Sequence, residues 1–147
     1  MKSSLIETIT NTTSGIASTI LRIPVGIILM AHGAQKLFGS FGGYGLEGTG
    51  QWMASIGLEP GYLMALLAGS AEFFGGLALV IGLLVRPASV VIAFTMLMAI
   101  FTVHISKGLF MSNGGYEYAL ALFVVAASLV FSGAGSYSMD KIIAAKK

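Results

Sequence analysis

The chain has no cysteine, and that removes several kinds of chemistry at once. Disulfide exchange and cysteine-ligated iron–sulfur clusters both need thiol sulfur, so neither can form within it. Electrons, if they move here, need a quinone, a haem or metal held by histidine, or a partner subunit. Charge is scarce as well: Asp, Glu, Lys and Arg make up 10% of the residues, against roughly 25% in an ordinary soluble domain. The formal net charge of +2 is too small and dispersed to attract a nucleic acid.

What fills the sequence instead is apolar. Hydrophobic residues make up 56% and the mean hydropathy is +0.89, the composition of an integral membrane protein whose partner is the lipid bilayer. A chain of 147 residues makes one domain, 1–147. Four stretches are long enough to cross a hydrocarbon core, which takes roughly 20 residues at ~1.5 Å each. They fall at about residues 16–38, 61–85, 87–106 and 116–131. The fold class expected is therefore an all-α membrane protein, a bundle of four transmembrane helices. The amino end lacks a basic cluster and the first span is too long for a signal core, so we expect no cleaved signal peptide. Leu5, Ile6, Ile9 and Ile16 fall near a helical period, which suits either a short surface helix or a frayed leader.

Basic residues set the expected orientation. Four spans leave both termini on one side, which then collects Lys2, Arg22, Arg86, Lys141, Lys146 and Lys147, against Lys36 and Lys107 on the other. Both termini should face the cytoplasm. The outer loops are then 39–60 and 107–115, and spans two and three join at a tight inner turn around Arg86 and Pro87. The first outer loop is glycine-rich, which permits unusual backbone shapes. Within it Thr49 would cap a short helix carrying Trp52, Met53 and Ile56. That segment is either a lid over the outer end or a flexible connector with an interfacial Trp anchor.

Six ionisable residues interrupt or bound these apolar runs: His32, Lys36, Glu72, His104, Lys107 and Glu117. Charge inside a membrane is costly, so each needs a partner or a task. His32, Gln35 and Lys36 share one helix face near the outer end, and His104 with Lys107 repeats the arrangement in the third span. Glu72 lies about eleven residues into the second span, roughly 16 Å of rise, near the midplane. Ala65, Ala68, Gly69, Gly75 and Gly76 surround it at helical spacing, and small residues mark faces where membrane helices meet. Glu72 should therefore point inward, either as a hydrogen-bonded acid tying helices together or as a proton carrier beside a histidine. Both histidines fit a shared site as well as they fit the headgroup layer. The two lysines read as snorkelling anchors, Arg22 as a lipid-phosphate or helix-end contact, Arg86 as a topology determinant, and Glu117 as a relay acid or a charge at a helix start.

A faint internal repeat runs through the chain. His32 and Lys36 precede Gly42-Gly43-Tyr44 and Glu47; His104 and Lys107 precede Gly114-Gly115-Tyr116 and Glu117. Two hairpins in parallel repeat would give this pattern.

Taken in order, Leu21-Arg22, His32-Gly33-Ala34-Gln35-Lys36-Leu37-Phe38-Gly39, Glu72-Phe73-Phe74-Gly75-Gly76, Gly82-Leu83-Leu84-Val85-Arg86, His104, Gly114-Gly115-Tyr116-Glu117-Tyr118 and the closing Gly133-Ala134-Gly135-Ser136-Tyr137-Ser138-Met139-Asp140 resemble the DoxX family. The resemblance covers nearly the whole chain. It implies a small four-helix protein of the bacterial cytoplasmic (inner) membrane. Some relatives are associated with quinone-linked sulfur oxidation, others with a membrane oxidoreductase complex in the oxidative-stress response. Arg22, His32, Lys36, Glu72, Arg86, His104 and Glu117 match family positions. Pro24 departs from the pattern, and would kink the first helix or mark its true start.

Together these features predict a redox-associated membrane protein, a quinone-linked oxidoreductase subunit with its site in the outer half of the bundle. Quinol oxidation releases protons with electrons, so a base is needed beside each hydroxyl; His32 and His104 suit that role, with Glu72 and Glu117 relaying protons. Lys36, Phe73, Phe101 and Tyr116 would join His32 in holding the ring, with Phe74 and Phe110 as further apolar wall. A metal on His32, Glu72, His104 and Glu117 is chemically reasonable too, since imidazole and carboxylate suit zinc or iron, although no His-x-x-x-His or Glu-x-x-His signature is present. A partner redox protein would take the electrons, and a homo-oligomer stays open. The alternative, from a different class, is a non-catalytic transporter of a small solute or a membrane anchor for a soluble redox enzyme.

Overall fold

Hydrophobic runs this long must satisfy their own backbone groups, and helices do so. In the computed structural model, which describes residues 5–12 and 15–146, every regular element is a helix. These are α1 (Leu5–Thr10), α2 (Ile16–Phe38), α3 (Gly45–Ser55), α4 (Gly61–Ile81), α5 (Val85–Ala99), α6 (Glu117–Ser132) and α7 (Met139–Ala145). A π-helical turn, Ile100–His104, and a 3-10 turn, Ile105–Lys107, prolong α5. Three described helices, Ile16–Phe38, Gly61–Ile81 and Val85–Lys107, are long and apolar enough to cross a membrane. The fourth apolar helix, α6, has 16 residues, roughly 24 Å of rise. Lys2 and Lys147, counted above toward orientation, lie outside the described residues.

Helix ends follow local chemistry. α4 stops at Gly82, whose φ of 75° and N–H to Ala78 O make a left-handed cap, so the second span ends at Ile81 rather than reaching residue 85. The third span likewise begins before Pro87: α5 starts at Val85, and Pro87 falls in its first turn, where no amide donor is needed. The amides that are present there are served from a distance. Asp140 Oδ1 and Oδ2 accept the Leu84 and Val85 N–H groups at 2.8 and 3.0 Å. Pro24 sits inside α2, which begins eight residues earlier at Ile16, so it is not the helix start.

α2 and α4 form one antiparallel hairpin, and α5 and α6 a second; α4 against α5 joins the two. Glycines decide how closely the first pair approaches. A Cβ on Gly26 would lie 2.7 Å from the Gly76 carbonyl oxygen, and one on Gly76 would lie 2.6 Å from that of Gly26. The small-residue face of α4 thus meets α2 through Gly69 and Gly76, with Glu72 buried between them, while Gly75 faces Ile92 of α5. Leu29, Leu79, Ile92, Met96, Leu122 and Leu129 fill the common core. Large apolar side chains such as Ile20, Phe94, Val124 and Phe131 point outward, which suits lipid contact.

Two arginines close the bundle at the end where the chain termini meet. Arg22 is fully buried. It donates from Nε to Ala134 O at 2.8 Å, from Nη1 to Leu79 O and Val80 O at 2.7 and 2.8 Å, and from Nη2 to Tyr137 O and Ser136 O at 2.7 and 3.3 Å. The last carbonyls of a helix have no partner within it, and the guanidinium supplies one. Arg22 is therefore a helix-end contact, not a lipid-phosphate ligand. Arg86 reaches Asn11 O at 2.9 Å and Val130 O at 2.7 Å, tying α6 to the segment after α1. α1 itself packs on α5 and α7, so residues 5–10 are not a frayed leader.

Candidate functional site

At the end of the bundle away from the termini the helices enclose a cavity of about 1280 Å³. α2 contributes Leu29, His32, Gln35 and Lys36; α3 contributes Thr49, Trp52 and Met53; α4 contributes Met64, Leu67 and Glu72. α5 with its π turn adds Phe94, Met98 and His104, and α6 adds Tyr118 and Leu122.

The polar centre is an ion pair. Lys36 Nζ lies 2.6 Å from Glu72 Oε2, with 25% and 8% of the two side chains exposed. Pairing is what makes a carboxylate tolerable at this depth, and it overturns the reading of Lys36 as a snorkelling anchor. An ammonium has three N–H donors, and among the described residues Nζ makes one hydrogen bond. The other two donors and the second carboxylate oxygen make no hydrogen bond among the described residues.

The two imidazoles differ. His104 Nδ1 meets Gly114 O at 2.7 Å. A carbonyl only accepts, so Nδ1 carries the hydrogen and the neutral ring keeps its lone pair on Nε2, the arrangement of a base. The π turn that carries His104 is a local departure of a kind frequent at functional sites, and a regular α-helical register does not foretell it. His32 makes no hydrogen bond among the described residues; its ring stands 6.0 Å from that of Tyr118 at 52°.

Other expected members lie elsewhere. Glu117 is exposed, and its Oε1 accepts the Met111 N–H at 2.6 Å, so it holds the turn before α6 rather than facing the cavity. Phe73 packs edge-on against Phe38 and Phe74, at 5.4 and 5.3 Å between ring centroids. Phe73, Phe101 and Tyr116 are not cavity walls, and neither are Phe74 and Phe110. The apolar wall comes instead from Met53, Met64, Leu67, Phe94, Met98 and Leu122. Among the described residues no three His, Asp or Glu side chains converge as metal ligands, so the proposed metal set of His32, Glu72, His104 and Glu117 is not assembled.

α3 is packed in place over one side of the cavity. Tyr44, not Thr49, is its N-cap residue, and Thr49 is buried within the helix. A Cβ on Gly50 would lie 2.9 Å from Tyr62 Cα, so the absent side chain lets α3 lie against the start of α4. The internal repeat is structural as well. Each copy is a 3-10 turn, Ser40–Gly42 or Met111–Asn113, followed by a helix. Gly42 and Gly114 have φ of 76° and 77°. Tyr44 and Tyr116 then cap α3 and α6 with φ, ψ of −88°, −6° and −90°, −2°.

A family model described as DoxX matches residues 17–105. The chain is 34% identical over 128 residues to a Bacillus subtilis (strain 168) protein named "Putative oxidoreductase CatD", covering 87% of each. It is 32% identical over 130 residues to the Escherichia coli (strain K12) "Inner membrane protein YqjF", covering 84% of this chain and 89% of that one. No solved structure matches the chain.

Proposed function

The chain belongs to the DoxX family, and from that premise we propose that it is the quinone-binding subunit of a membrane oxidoreductase, working with a partner redox protein. It is a multi-pass protein of the bacterial inner membrane. The carrying observation is that Lys36, Glu72, His32 and His104 line one apolar cavity. A relative named as an oxidoreductase supports the redox class.

A quinone ring fits these residues by chemistry. It is flat and apolar with oxygens at opposite edges, and the cavity pairs an apolar wall with polar groups of both kinds. The bound quinol would supply the two-electron couple. Lys36 would donate to a ring oxygen and fix orientation. His104 Nε2 would accept one hydroxyl proton, with Nδ1–H held on Gly114 O. Glu72 would balance the Lys36 charge and offer its second oxygen to the other proton. The two electrons would pass to a redox centre on the partner protein.

The reading includes topology: α2, α4, the α5 rod and α6 each cross the membrane, with both termini in the cytoplasm. Arg22, Arg86, Lys141 and Lys146 lie toward the termini, and Lys36 and Lys107 toward the other end, which follows the bias of basic residues to the cytoplasmic side.

The test is purification in mild detergent, solvent extraction for bound quinone, and titration with added quinol. Co-purifying quinone or saturable quinol binding is the expected result. If neither occurs, the redox reading fails and the cavity belongs to a small-solute transporter or an anchoring subunit.

A further inference from the structure

The cavity has an opening where an aqueous solute has no reason to enter. α4 and α5 leave the tight turn at residues 82–84 and touch again at Gly75, where a Cβ would lie 3.0 Å from Ile92 Cγ1. Beside and beyond that contact, Leu67 and Ala68 on α4 and Val91, Phe94, Met98 and Ala99 on α5 line the cavity. Several of these side chains also face outward: Phe94 is 66% exposed, Leu67 56% and Val91 49%. The wall is therefore open on its lipid side. Phe94 lies near the middle of the 23-residue rod Val85–Lys107, so the opening sits at hydrocarbon depth rather than at the headgroups.

The walls of this gap carry no charged side chain and leave no hydroxyl hydrogen free. Thr95 and Thr102 spend their hydroxyl hydrogens on Val91 O and Met98 O of their own helix, at 2.9 and 2.7 Å. Inside, Lys36 and Glu72 are ion-paired with each other, and the exposed Lys107 is a further cation of the lining. An apolar entrance leading to an ion-paired centre suits an uncharged head on an apolar chain. A phospholipid, with its phosphate, is the poorer fit.

We infer that a prenylated quinol enters sideways from the bilayer between α4 and α5, and that its tail lies on Leu67, Val91, Phe94 and Met98. The identity of the head rests on the proposed function; the route does not.

The sequence supplies a reporter, since Trp52 is its one tryptophan and lines the cavity. In proteoliposomes, Trp52 fluorescence is titrated with a benzoquinone bearing a two-isoprene tail, with the same ring lacking a tail, and with a phospholipid brominated in its acyl chains. Concentrations are expressed per membrane volume, so that partitioning is removed. The tailed quinone should quench saturably at a concentration at least tenfold lower than the tail-less ring. Ala68→Phe and Ala99→Phe, which narrow the gap, should each reduce that preference to less than threefold. Phe94→Ala, at a lipid-exposed position where folding is not at issue, should reduce it in the same direction. Equal quenching by both quinones, or a preference unchanged in all three variants, would overturn the route and leave the proposed function standing. Saturable quenching by the brominated phospholipid alone would overturn the quinone head, and the proposed function with it, while the α4–α5 route stood.

Discussion

Lys36 and Glu72 gain from each other what neither obtains from the cavity wall. Glu72→Gln leaves an ammonium facing apolar side chains, and Lys36→Met leaves a carboxylate doing so. A double-mutant cycle on unfolding in mixed detergent should give a coupling of about 0.5 to 3 kcal/mol, the range for residues in direct contact. If the cavity binds quinol as proposed, its affinity should fall at least tenfold in either single variant. A coupling near zero would make the pair incidental. Arg22 is the second residue with a large expected effect. Its fork reaches five carbonyls from buried ground. Lysine keeps the charge but not the planar donor set, so Arg22→Lys should fail to rescue Arg22→Gln, and each should cost about 3 kcal/mol or more. Near-wild-type unfolding of the lysine variant would show that charge alone matters. The sequence marks Glu72 as inward-facing through its small neighbours and places both histidines at one height. It does not reveal that Lys36 answers Glu72, because that pairing depends on how far α2 turns against α4. Nor does it separate Glu117 from the cavity, since an acid at a helix start is compatible with either place.

At the scale of elements, the helices are legible because twenty-residue apolar runs leave the backbone no other way to pair its groups. Their ends are less so: Gly82 stops α4 early, and Asp140, fifty-five residues beyond Val85, serves the start of α5. The π turn at Ile100–His104 has no sequence sign at all. What the glycines do is testable. Gly76→Ala places a methyl 2.6 Å from the Gly26 carbonyl oxygen, and both helices must part to admit it. Overpacking of this kind costs typically 1 to 3 kcal/mol. Gly15→Ala meets nothing within 4 Å and should stay within about 0.5 kcal/mol of the parent. Thermal unfolding of the two variants side by side checks this; equal midpoints would mean that the α2–α4 crossing yields freely.

For the whole molecule, two hairpins lie side by side with the cavity between their far ends, and α1 and α7 pack together at the near end. Whether α6 crosses the membrane decides this picture. Its 16 residues rise roughly 24 Å, short of a hydrocarbon core of ~30 Å. Its partner in the hairpin, Val85–Lys107, has 23 residues and rises roughly 34 Å. Because the two are antiparallel, a crossing by α6 would need residues 108–116 and 133–135 to complete its path at the two ends. The turns there are tied by Glu117 to the Met111 N–H and by Arg22 to the Ala134 carbonyl, which satisfies backbone groups that a membrane would leave without water. A cysteine-free chain makes the test direct. Ser112→Cys and Lys141→Cys place single thiols on exposed positions at opposite ends of the bundle. In intact cells an impermeant maleimide should label Ser112→Cys at once and Lys141→Cys only after permeabilisation. Labelling of both from outside, or of neither, would put the two ends of α6 on one side and require a three-span protein with its fourth apolar helix lying against the others.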